Sequence, residues 1–185
     1  AASWILSAGD GPKTVHAQFR DALGNVSAGD VRADILLDTT PPEGAVLLNS
    51  GAAYATVRDV AVSITFDDHG GSGVVSMRLA NDCAAWGVWE PAAGAKPWAL
   101  PDGEGVKTVC VQLRDGAGNI SPAFSDDIAL DTAPPTGTVL INGGLSATND
   151  PAVTLSLEWD DGAAGSGATR MRFSDDGAVW TAWEP

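Results

Sequence analysis

Apolar residues along this chain recur at every second position. Val60, Val62, Ile64 and Phe66 alternate with Ala61, Ser63 and Thr65, and Val75, Met77 and Leu79 alternate with Ser76, Arg78 and Ala80. The same rhythm runs through Val15, Ala17 and Phe19, through Val109, Val111 and Leu113, and through Val153, Leu155, Leu157 and Trp159. A period of two puts alternate side chains on one face of a strand, so each run predicts a short strand with a buried and an exposed side. Between the runs stand Gly, Pro, Asn and Asp, and the 22 Gly and 11 Pro leave little room for long helices. Short strands at this spacing predict an all-β fold, an antiparallel β-sandwich.

The pattern also repeats on a longer scale. Gly11-Pro12-Lys13-Thr14-Val15 returns as Gly105-Val106-Lys107-Thr108-Val109, and Arg20-Asp21-Ala22-Leu23-Gly24-Asn25 returns as Arg114-Asp115-Gly116-Ala117-Gly118-Asn119. Leu37-Asp38-Thr39-Thr40-Pro41-Pro42 matches Leu130-Asp131-Thr132-Ala133-Pro134-Pro135, and Trp86-Gly87-Val88-Trp89-Glu90-Pro91 matches Trp180-Thr181-Ala182-Trp183-Glu184-Pro185. Residues 1–91 and 92–185 are two periods of one tandem array. The Pro-Pro stretches are its least strand-like points, because proline cannot donate to a ladder and holds its predecessor extended. Boundaries placed there make residues 41–131 one complete module. Residues 1–38 are then the C-terminal half of a preceding module, and residues 134–185 the N-terminal half of a following one. Half a sandwich leaves an apolar face and strand edges bare. The expected partner of residues 134–185 is therefore residues 1–38 of an adjacent copy.

Three motifs carry a family resemblance. Arg-Asp-x-x-Gly-Asn-x-Ser (Arg20 to Ser27, Arg114 to Ser121), the Leu-Asp-Thr-x-Pro-Pro boundary and Trp-x-x-Trp-Glu-Pro resemble tandem bacterial immunoglobulin-like repeats. That resemblance covers the whole chain and implies sandwiches of the immunoglobulin and fibronectin type III class. It also implies an extracellular or cell-surface location and a structural or adhesive role, often with calcium stiffening the array. Such modules serve as stalks, adhesin extenders and spacers beside enzymes, so the fold by itself does not choose among these.

Charge narrows the partners. The chain of 185 residues carries a formal net charge of −14, which argues against nucleic acid and anionic membranes as binding surfaces. No apolar run approaches the roughly 18–20 residues of a membrane helix, so no membrane insertion is expected. Ala1-Ala2-Ser3-Trp4 reads as neither the basic nor the apolar part of a signal peptide.

In a seven-strand immunoglobulin-type sandwich the incoming chain and two of the inter-strand loops share one pole. For residues 41–131 this gathers Asp38, Asp67 and Asp68, Asp115 and Asn119. For the next junction it gathers Asp131, Asp160 and Asp161 with Asp21 and Asn25 of an adjacent copy. Converging carboxylates repel unless protons or a hard cation compensate. Calcium accepts oxygens in loose geometry and suits such a set, which makes it the expected cofactor. The plain alternative is that these residues cap turns through Asx hydrogen bonds.

Cys83 and Cys110 align with Gly177 and His16 of the other period, so both cysteines are present together and absent together. They follow or begin neighbouring strands, and a disulfide between them would add about 3–4 kcal/mol and suit an oxidising compartment. Alternation turns Cys110 away from Val109 and Val111, so Cys83 has to turn outward at Asn81-Asp82; the alternative is two free thiols. Trp86, Trp89, Trp180 and Trp183 either cover the sandwich or present rings for surface glycans. No triad, repeated His site or phosphate-cradling loop supports an enzyme. The sequence reads as a structural segment of an extracellular filament or stalk. Its alternatives are an adhesin module using the Trp hairpin and a passive spacer in a secreted enzyme.

Overall fold

The computed structural model describes residues 1–185 and contains twelve β-strands, one 3-10 turn at Asn142–Gly144 and no α-helix. Strands β1 (Gly11–Ala17) and β2 (Val31–Leu37) form an antiparallel ribbon near the N-terminus. The middle of the chain holds β3 (Glu43–Leu48), β4 (Tyr54–Ala55), β5 (Asp59–Asp67) and β6 (Val74–Asn81), then β7 (Glu90–Pro91), β8 (Ala95–Ala99), β9 (Gly105–Asp115) and β10 (Phe124–Leu130). A second ribbon pairs β11 (Thr136–Ile141) with β12 (Leu155–Asp160). The eight middle strands make two sheets, ordered β3-β5-β8 and β4-β10-β9-β6-β7. All pairings are antiparallel except the short contact of β4 with β10.

The two sheets bury one apolar core between them. Val46 and Leu48 of β3 and Val60, Val62 and Ile64 of β5 enter it from one side. Met77 and Leu79 of β6, Val109, Val111 and Leu113 of β9 and Ile128 and Leu130 of β10 enter from the other. Each group is one face of a period-two strand, so alternation in the sequence becomes alternation in burial. At about 25 cal/mol per Å² of apolar area removed from water, this burial is what chiefly holds the two sheets together. Several positions depart from the alternating pattern: Val75 is exposed, since a register shift between Val74 and Ser76 puts Val74 against the core instead, and Phe19 lies beyond the end of β1. Phe66 stays partly exposed at the end of β5, opposite Gly44, and Val153 lies ahead of β12 rather than in it.

Cys110 is also fully buried, although its neighbours Val109 and Val111 point the other way. Its cover comes from the segment after β6. Asp82 and Cys83 both adopt left-handed backbone conformations (φ 54° and 52°), closing a tight reversal in which the Ala84 N–H donates to the Asn81 carbonyl. The chain then runs back over the outer face of β6 and β9, and Cys83 forms a disulfide with Cys110 across a Cα separation of 5.1 Å. Further along, the Gly87 N–H donates to the Leu79 carbonyl, and β7 pairs with β6.

The terminal ribbons copy the local geometry of the middle strands. Thr14 Oγ1 donates to Asp34 as Thr108 Oγ1 donates to Asp127, each at 2.6 Å. Asn142 Oδ1 accepts from the Thr154 N–H at 2.8 Å, as Asn49 Oδ1 accepts from the Ala61 N–H at 2.9 Å. What the ribbons lack is a covering sheet, and Phe19, Ile35, Val139 and Trp159 are all exposed. No helix is long and apolar enough to cross a membrane.

Candidate metal centre

Three carboxylates meet where the first ribbon joins the middle sheets. Asp38 follows β2 directly, Asp68 follows β5, and Asp115 is the last residue of β9. All three are buried, and one oxygen from each lies within 4.8 Å of the others. Backbone amides hold them in place. Asp38 Oδ2 accepts from the Ser72 N–H at 2.7 Å, and Asp68 Oδ2 accepts from the Gly73 N–H at 2.6 Å. Asp115 Oδ1 accepts from the Gly118 and Asn119 N–H groups at 2.7 and 2.8 Å. Gly71 lets the loop pass this close, since a Cβ there would stand 2.7 Å from Asp38 Oδ2 and 2.8 Å from Asp68 Oδ2.

The cluster is not electrically balanced. No Lys or Arg forms an ion pair with any of the three, and His69 pairs instead with Glu43 and Asp67. Asp68 is 8% exposed, and its Oδ1 is buried without a hydrogen-bond partner. Burial pushes the Asp68 carboxyl above its usual range, and the nearby Asp38 and Asp115 charges push it further, against the pull of the Gly73 N–H. Hydrogen bonds from Ser72 hold Asp38 below its usual range. An orphaned acceptor among three oxygen donors, with no nitrogen or sulfur ligand, fits a hard divalent cation of the calcium kind.

The sequence-derived candidates divide on this geometry. Asp38, Asp68 and Asp115 converge. Asp67 is a correction: it is the last residue of β5, paired with Glu43, and its mostly exposed carboxylate accepts from the His69 N–H instead of joining the cluster. Asp160 occupies the matching place one period later, ending β12 and accepting from the Gly162 N–H. Asn119 acts through its amide nitrogen, which donates to Asp115 Oδ2 at 2.8 Å and to the Asp38 carbonyl at 3.1 Å, so it braces the cluster.

At the second junction, Asp131 Oδ2 accepts from the Ser166 N–H at 2.7 Å and Asp161 Oδ2 from the Gly167 N–H at 2.6 Å. This reproduces the Asp38 and Asp68 arrangement, including a buried Asp161 Oδ1 without a partner. Asp21 and Asn25 carry the geometry of the third wall, with Asn25 Nδ2 donating to Asp21 Oδ2 at 2.8 Å. Within this chain they are not brought to Asp131 and Asp161.

Sequence reasoning missed two supports. Asp10 accepts from the Thr39 N–H, the Thr39 hydroxyl and the Thr40 hydroxyl, and Glu104 accepts likewise from the N–H and hydroxyl of Thr132, so an acid clamps each linker. The second is a cation–π ladder. The Arg78 guanidinium lies 5.1 Å from the Trp86 ring centre and 4.6 Å from that of Trp89, and Arg114 lies 4.6 Å from Trp89. Arg172 repeats this with Trp180 and Trp183 at 4.8 and 4.6 Å. The recurrence of Met-Arg beside each Trp pair was the available signal. The central rings are thus stacked on guanidinium groups, and Gln112 Oε1 accepts from Arg78 Nε and Nη2 at 2.9 and 2.6 Å.

No protein-family model matches the chain, and no curated protein matches it.

Proposed function

We propose that this chain is a structural repeat segment of an extracellular filament or cell-surface stalk, built from immunoglobulin-like modules whose junctions are stiffened by calcium. The observation that carries this reading is the unpartnered, buried Asp68 Oδ1 beside Asp38 and Asp115. Asp38 belongs to the linker, whereas Asp68 follows β5 and Asp115 ends β9, where two loops of the middle sandwich begin. A cation held by all three would tie the linker to both loops and remove the hinge freedom between units. The repetition of the Asp131 and Asp161 geometry one period later supports a device used at every junction. The disulfide supports an oxidising location.

Titration of the chain with CaCl2 by calorimetry tests the site, with binding expected at the Asp38–Asp68–Asp115 cradle. Small-angle scattering in CaCl2 and in EDTA tests the mechanical role. Calcium is expected to lengthen the particle and narrow its distribution of sizes. Identical scattering in the two buffers, together with no heat of binding, would overturn the reading. Electron microscopy of the native material is expected to show threads with a module-sized period.

A further inference from the structure

The middle sandwich is also a template for how the two ends of the chain are covered. Leu113 and Ile128, on β9 and β10, are 0% and 1% exposed because they lie against the strands that precede them in the module. Their counterparts in the repeat, Phe19 and Ile35, are 63% and 57% exposed. On the other ribbon, Val139 and Ile141 are exposed where Val46 and Leu48 are buried. A two-stranded ribbon with a bare apolar face is at best marginally stable in water, so both faces call for cover.

We propose that a further repeat of this sequence supplies that cover in one register: a stretch like residues 1–38 closes residues 134–185 as β9 and β10 close the middle sandwich, an arrangement that two copies of this chain can reproduce between them. This inference rests on the filament reading and adds the recognising residues. Arg20, the counterpart of Arg114, stacks on Trp183, extending the Arg172 ladder. Gln18, the counterpart of Gln112, accepts from Arg172. In a lone copy Arg20 Nε instead donates to the Gly24 carbonyl at 3.2 Å. Asp21, braced by Asn25, arrives beside Asp131 and Asp161 and completes a second carboxylate cradle around the buried Asp161 Oδ1. Side-chain volume is compensated across the joint, since Ala17 replaces Val111 while Phe19 replaces Leu113. One template bond is lost: Arg170 stands where the Ser76 hydroxyl accepts from Arg114.

The template supplies its own test. His16 and Gly177 occupy the positions of Cys110 and Cys83, which lie 5.1 Å apart between Cα atoms and are already disulfide-bonded. His16→Cys and Gly177→Cys are made in separate full-length chains, one bearing a size tag, and mixed in CaCl2 under mild oxidation. The mixed dimer should form roughly tenfold or more faster than either homodimer, because association raises the effective thiol concentration. Lys13→Cys, on the opposite face of β1, should not cross-link to Gly177→Cys at that rate, and adding Arg20→Ala should slow the productive pair. Mixed and homodimers forming at equal rates, or equal cross-linking of Lys13→Cys, would overturn the proposal. Calorimetry with CaCl2 on the same unoxidised chains reads the Asp68 cradle separately, so failure of the joint is distinguishable from failure of the calcium reading.

Discussion

Replacing Asp68 with Asn separates the charge of the cradle from its shape. The amide is isosteric with the carboxylate, and its oxygen can keep the bond from the Gly73 N–H. Its nitrogen then takes the place of the unpartnered Oδ1 and faces the Asp38 and Asp115 carboxylates as a donor. A buried acceptor without a partner costs about 1–3 kcal/mol, and more when charged. Without a cation, D68N should therefore be more stable than the parent by about that amount, raising Tm by at least about 4 °C for a domain of this size. With calcium at about a hundred times its Kd, the parent gains about 2.7 kcal/mol, while a variant missing one of three carboxylates forfeits most of that gain. The order of the two melting temperatures should reverse between EDTA and CaCl2. The pH dependence has a defined sign. Because the folded Asp68 carboxyl titrates above its usual range, its contribution is fully present below the unfolded value of 3.8 and is lost as pH rises through the folded value. In EDTA the parent should thus fall behind D68N as pH increases from about 4 towards neutrality. Asp38, held low by Ser72, acts in the opposite direction in both proteins and largely cancels from the comparison. Circular-dichroism melts in EDTA and in CaCl2 across this pH range read all of these effects. A D68N chain that melts below the parent in EDTA, or that keeps the full calcium shift, would refute the reasoning.

Other perturbations address the supports of the site and the sandwich. Gly71→Ala places a Cβ against Asp38 and Asp68, so calcium affinity by calorimetry should fall at least about tenfold, as for other losses of outer-shell support. Arg78→Ala removes two aromatic contacts and the bonds to Gln112, and should lower stability in urea by about 1–3 kcal/mol. Arg78→Lys should recover less than half of that loss, because an ammonium neither stacks flat nor binds the amide as a fork. Cys83→Ser with Cys110→Ser opens a link of sequence separation 27 and should cost about 3.5 kcal/mol, read from denaturation midpoints.

Some of the candidate site was legible in the chain because the repeat marks it. Asp38 and Asp131 precede matching Pro-Pro linkers, and Asp21 and Asp115 open matching Gly-Asn loops. Choosing between adjacent acids was not legible. Asp67 and Asp68 are equivalent in composition, but Asp67 remains in the β5 ladder opposite Glu43 while Asp68 lies one position beyond it. The turn through His69 and Gly70, both left-handed (φ 50° and 83°), then brings the Ser72 and Gly73 amides to the cluster. The Trp pair was visible as aromatic residues with Arg78 shortly before it, but the contact with Arg114 depended on β9 pairing with β6.

By itself, the sequence determined the all-β class, the two periods, the linkers and the inward face of most strands. These are local properties: a period-two pattern sets which side of a strand is apolar, and proline ends a ladder wherever it stands. Only the tertiary structure decided that Asp68 rather than Asp67 joins Asp38 and Asp115, that guanidinium groups stack on the Trp rings, and that Cys83 reaches Cys110. Each of those outcomes depends on two sheets closing over a common core, which brings distant loops to one pole and leaves a carboxylate oxygen where water cannot reach it.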